Sequence, residues 1–196
     1  MIKYFFLGMF VKLITGLDDT ITHIPILASV TKTRAGRIAF SIGTLMAIIF
    51  AIIIAVFFSA IFYYIPYYRY IAVGLIFALA IAIYFDVFVH KPRTKAEKQL
   101  LKEKRTTNER FAHLLGIGFI ASFATVIDDI IAYIPLFLIP GLLIKAMAIA
   151  GIILLTVIEI IAVIYFSGKI AKIKHKEKIA VAGLVILGVL ILTGTI

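Results

Sequence analysis

The sequence predicts an all-α membrane protein, built as six transmembrane helices in two inverted-topology three-helix repeats. Three observations carry this. Hydrophobic residues make up 63% of the 196 positions, whereas a soluble domain is nearer half apolar and lacks repeated runs long enough to cross a bilayer. Lys and Arg crowd into alternate connections between those runs. An acidic pair recurs in register, 110 positions apart, inside the first and fourth runs.

The apolar segments run roughly over 3–29, 38–64, 70–89, 112–139, 143–167 and 178–196, and each is about long enough to cross a hydrocarbon core. The opening Met1-Ile-Lys-Tyr-Phe-Phe6 superficially resembles a signal peptide. However, the apolar run continues through an Asp pair to about Ala28 with no small-residue cleavage site before it, so it reads as the first span. Pro66 and Arg69 separate the second segment from the third, and Pro140-Gly141 separates the fourth from the fifth. The chain therefore divides into a first three-helix repeat at 1–90, a basic linker at 91–111 and a second three-helix repeat at 112–196.

The net charge of +10 is not spread evenly. The first, third and fifth connections hold 16 of the 20 Lys and Arg residues. Positive charge is retained on the cytoplasmic side, so these connections are expected in the cytoplasm of a multi-pass plasma-membrane protein with both termini extracytoplasmic. The basic stretch 91–110 has no interleaved aromatic residues, which argues against nucleic acid and for orientation and contact with anionic lipid. Cysteine is absent, which excludes disulfides and thiolate metal sites.

Thr15-Gly-Leu-Asp18-Asp19-Thr-Ile-Thr22-His23-Ile-Pro25 superimposes on Thr125-Val-Ile-Asp128-Asp129-Ile-Ile-Ala-Tyr133-Ile-Pro135 after a shift of 110, and Gly8 falls on Gly118. Gly43 has a counterpart near Gly151, and Ala72-Val-Gly74 parallels Val181-Ala-Gly183. Three spans per half is an odd number, so the second copy enters the membrane from the opposite side. Carriers use this arrangement to open a central site alternately to either face.

A central Asp costs roughly 2.5–3.5 kcal/mol on insertion scales. The 15 Leu, Ile, Phe and Val residues between Leu114 and Ile139 return roughly 5–9 kcal/mol on the same scale. The acidic pair thus offsets most of what inserts this helix, and four such carboxylates repel unless protonated or neutralised by a cation. Asp18, Asp19, Asp128 and Asp129 are therefore read as ligands of a cation held within the membrane. Thr15, Thr22 and Thr125 lie within a helical turn or so of the acids and support them. Pro25 and Pro135 lack an amide hydrogen, which frees the carbonyls of Ile21 and Ile131, and broken helices beside carboxylates are how carriers build such sites.

Oxygen ligands favour a divalent ion such as Ca²⁺, Mn²⁺ or Mg²⁺, and His23 could add a nitrogen suited to Zn²⁺ or Cd²⁺. Its repeat counterpart is Tyr133, so His23 is read first as a packing residue or one that supports a ligand from behind. Glu159 has Ala51 as its approximate counterpart; it either relays protons or completes the site, or it merely accepts a hydrogen bond from another helix. Asp86, beside His90 and Lys91, reads as an interfacial ion pair. Lys12, two turns before Asp19, is expected to snorkel outward, with a countercharge role in the empty site as the other reading. Gly36, Gly43, Gly74, Gly116, Gly118, Gly183 and Gly188 are expected to allow close helix contacts.

Asp128-Asp129-Ile-Ile-Ala-Tyr-Ile-Pro-Leu-Phe137 is similar to the fourth-helix pattern of the LysE superfamily of small exporters, most of all its CadD-like cadmium and divalent-cation resistance transporters, and Gly16-Leu-Asp-Asp19 resembles that family's first-helix pair. The resemblance implies six spans, a three-plus-three inverted fold and export of a divalent cation. The expectation is a secondary transporter, not an enzyme, with no cofactor. It would move Ca²⁺, Mn²⁺, Cd²⁺ or Zn²⁺ against protons, sit among membrane lipids without nucleic acid, and could form a homodimer. Export of amino acids or other small cationic solutes is the alternative within transport. A Mg²⁺-dependent membrane enzyme acting on lipid phosphates is the distant alternative, since such enzymes favour Asp-x-x-Asp spacing at the interface.

Overall fold

The computed structural model describes residues 2–30, 34–85, 107–170 and 176–193. Among these residues the regular structure is entirely helical: α1 (Ile2–Val30), α2 (Arg34–Phe62), α3 (Tyr68–Tyr84), α4 (Thr107–Thr125), α5 (Ile127–Phe137), α6 (Leu142–Ile170) and α7 (Lys176–Leu192). The third and sixth apolar segments form helices of 17 residues each, shorter than their sequence limits suggest. Asp86 and His90, and most of the basic linker from Lys91 onward, lie outside the described residues.

Gly36–Phe62 and Leu142–Tyr165 are long and apolar enough to cross a membrane. Both carry apolar side chains all round, yet only a third of each is buried within the bundle. On α2, Ile38, Ile42, Met46, Ile49, Ile53 and Phe57 are exposed, and on α6 Leu154, Ile158, Ile161 and Tyr165. An apolar surface of that extent matches a lipid environment rather than water.

The fourth apolar segment is not one helix. It is interrupted at Val126, whose backbone (φ −85°, ψ 10°) leaves the helical range between α4 and α5. The expected breaks at the prolines do not occur: α1 continues through Pro25 to Val30, and Pro135 lies inside α5, two residues before its end. A proline near a helix end leaves only the carbonyl one turn back without its partner and need not stop the helix. Two tight connections follow their turn chemistry. Tyr67 caps α3 at a left-handed φ of 63°, a conformation that costs a non-glycine residue about 1–2 kcal/mol. Gly141 takes φ 118° between α5 and α6, where a side chain would be strained.

Packing exchanges partners between the halves. α1 packs along α6, and α4 along α2, while α3 packs on α7. At each of the first two contacts, glycines bring backbones together. A Cβ on Gly8 would strike the carbonyl oxygen of Ala148, and one on Gly151 that of Phe5. A Cβ on Gly118 would strike the carbonyl oxygen of Phe40, and one on Gly43 that of Leu115. Gly8 and Gly118 match under the shift of 110, Gly43 and Gly151 match to within two residues, and each of the four meets a backbone carbonyl of the other half. Gly183 lies against Ile14, and Gly188 against Phe77 and Ile76, but Gly74 and Gly116 face open space and make no close contact.

Within this frame α5 is the enclosed element. It contacts α1, α2, α3, α4 and α6, and Ala132, Tyr133, Ile134, Leu136, Phe137 and Leu138 along it are all buried. Its partners in the core include Val11 and Ile14 of α1, Ile48 and Ile52 of α2, and Ile76 of α3.

Candidate functional site

The interruption at Val126 puts Asp128 and Asp129 in the first turn of α5. A helix N-terminus favours a negative charge by about 0.3–1 kcal/mol at an exposed site and more when partly buried. The Asp129 side chain is completely buried. Its Oδ2 lies 2.9 Å from the Lys12 ammonium on α1 and accepts a hydrogen bond of 3.1 Å from the Tyr133 hydroxyl, one turn along α5. Its Oδ1 is buried and accepts no hydrogen bond from the described residues. A carboxylate offers about four acceptor positions, so among the described residues Asp129 is used on one oxygen and open on the other.

The expectation that Lys12 snorkels outward is overturned. The residue is 2% exposed, and its ammonium also lies 3.6 Å from Glu159 Oε2 on α6. Snorkelling needs a route from the Cα to the interface along the helix surface. Here α1 is pressed against α6 by Gly8 and Gly151, and two acids on neighbouring helices accept the charge instead. Gly16 makes room for this: a Cβ there would come within 2.8 Å of Glu159 Oε2. Glu159 thus joins Asp129 around one ammonium carried by a neighbouring helix, the second of its two sequence readings.

Burying charges costs several kcal/mol per ion and is repaid only by close opposite charge and hydrogen bonds. At an effective dielectric near 20, a unit pair about 4 Å apart gains roughly 4 kcal/mol. Among the described residues, Lys12 is thus enclosed by two carboxyl groups, one from α5 and one from α6.

Not every candidate joins the cluster. The Thr15 hydroxyl is buried but donates back to its own helix, to the carbonyls of Val11 at 3.2 Å and Lys12 at 3.4 Å. Pro135 is buried within α5, beyond the acids. The side chains of Asp18, Asp19, Thr22, His23, Pro25, Thr125 and Asp128 lie outside the described residues. Among the described residues no three His, Cys, Asp or Glu side chains gather as a metal centre; Asp129 and Glu159 supply two carboxylates.

Tyr133 was visible in the sequence only as the counterpart of His23. Its spacing of four from Asp129 is the signal for its hydrogen bond, because such positions share a helix face. A second buried polar contact was also missed: Ser122 of α4 donates to Thr44 of α2 at 2.9 Å, within the interface equivalent to that of Lys12 and Glu159. Comparison with known proteins finds no matching family model, no matching curated protein and no matching solved structure.

Proposed function

We propose that this protein is a multi-pass secondary transporter that moves a divalent metal cation, in exchange for protons, through a site at mid-membrane. The first-helix and fourth-segment Asp pairs supply the ligands, Asp18 and Asp19 from one half and Asp128 and Asp129 from the other. The observation that carries this reading is Asp129: a fully enclosed carboxylate with one oxygen uncommitted among the described residues, on the most buried helix of an apolar bundle. A helical scaffold has no use for that expense, whereas a cation carrier requires it.

The exchange of partners between halves supports alternating access. If the two halves insert with opposite orientation, the α1–α6 and α4–α2 contacts face opposite sides and can loosen in turn. The six spans, the odd connections in the cytoplasm and the resemblance to CadD-like exporters belong to the same proposal. Carboxylates that share a site bind protons more readily, so an entering metal displaces them, which couples the two fluxes.

One observation favours the alternative of a cationic organic solute. The group held between Asp129 and Glu159 is itself an alkylammonium, the chemistry of a basic amino acid. Proteoliposome uptake measured side by side with Mn²⁺, Ca²⁺, Zn²⁺, Cd²⁺ and with lysine separates the readings. Metal flux that dissipates a proton gradient supports the first; lysine flux with no metal flux replaces it by the second.

A further inference from the structure

We propose that the Lys12 ammonium is a tethered competitor for the transported cation, occupying the place between Asp129 and Glu159 that the cation takes. This rests on the cation-transport reading above. The geometry is that of a bound guest: the ammonium lies 2.9 Å from one acid on α5 and 3.6 Å from another on α6, with 2% of Lys12 exposed. The lysine stem has four rotatable carbons, so the head group can withdraw without moving α1. Asp129 Oδ1, uncommitted among the described residues, gives an incoming ion a first contact before Lys12 leaves Oδ2.

The twin interface shows that packing alone does not require these charges. Under the repeat, Lys12 corresponds to Ser122, and Glu159 approximately to Ala51, two residues off the shift of 110. There α4 meets α2 through equivalent glycines, and the polar contact is a neutral Ser122–Thr44 hydrogen bond. Lys12 and Glu159 are both present in one interface and both replaced in the other. A neutral pair is sufficient for helix association, so the charged pair serves the site. A resident monovalent charge keeps the cation-free carboxylates compensated while the carrier reorients. Two carboxylates attract a charge of two about twice as strongly as a charge of one at equal distance, the advantage a divalent ion sets against its larger desolvation.

The test is equilibrium binding of Mn²⁺, Ca²⁺, Zn²⁺ and Cd²⁺ to the purified full chain and to Lys12→Met and Lys12→Arg. Removing the competitor in Lys12→Met lowers the Kd of the bound ion at least tenfold. Lys12→Arg keeps the charge and can grip a carboxylate with two hydrogen bonds, so it raises the Kd at least tenfold. An unchanged or raised Kd in a folded Lys12→Met overturns the proposal while leaving transport intact. Should Lys12→Met not fold, the arginine variant decides, and an unchanged or lowered Kd there overturns it. Absence of binding of all four ions to the wild type removes the transport reading itself.

Discussion

Gly8 and Gly118 stand at equivalent positions in the two halves, and each lies against a backbone carbonyl of the other half: Gly8 against Ala148 on α6, Gly118 against Phe40 on α2. Neither site has room for a methyl group, because the opposing atom belongs to a main chain that cannot rotate aside. Gly8→Ala and Gly118→Ala should each destabilise the protein by about 1–3 kcal/mol, the range for overpacking. Gly74→Ala, at an open position, should be neutral or gain up to about 1 kcal/mol from helix propensity. Thermal unfolding in detergent compares the three.

Lys12 and Asp129 form a buried pair, and breaking such a pair from one side costs about 3–5 kcal/mol because a charge is left in the interior. Asp129→Leu and Lys12→Met should each show that loss in the absence of metal. The double variant Lys12→Met with Asp129→Leu should lose less than the sum of the two. A double-mutant cycle on unfolding free energies measures the coupling. Additive losses would show that the two groups do not depend on each other.

Tyr133→Phe removes only a hydroxyl from a fully buried ring. It leaves the packing of the ring against Phe137 in place, so the loss should report the hydrogen bond to Asp129 alone. A hydrogen bond to a charged group is worth about 1.5–3 kcal/mol. Chemical denaturation should return a value in that range; a value near zero would mean the Asp129 oxygen has another donor to turn to.

The absence of native cysteine makes the orientation directly measurable with single introduced thiols. Tyr64→Cys, in the exposed turn between α2 and α3, should react with a membrane-impermeant maleimide from outside intact cells. Gln99→Cys, in the basic linker, should react only after the cells are opened. The reverse pattern would invert the assignment drawn from the Lys and Arg distribution.

The repeat was readable because it leaves its trace in residues with few alternatives. Gly8, Gly118, Gly43 and Gly151 each answer a steric demand of backbone approach, and the first two fall on the shift that aligns the acids. The charges were harder. A lysine in an apolar helix can reach water or an acid, and its sequence environment is the same in both cases. Ser122 at the equivalent position gives no indication either way. The prolines misled for a related reason. Pro25 and Pro135 mark where a carbonyl loses its partner, but a helix tolerates that near its end. The interruption falls instead at Val126, in a stretch with no glycine or proline to announce it.

On the proposed function, Asp129 holds the transported cation. The most direct measurement is flux of radioactive Mn²⁺ into proteoliposomes carrying an opposed proton gradient, wild type against Asp129→Asn, with matched amounts of folded protein. Saturable, gradient-driven uptake is expected in the wild type, with a loss of at least a hundredfold in the variant. Equal uptake by both proteins would contradict it.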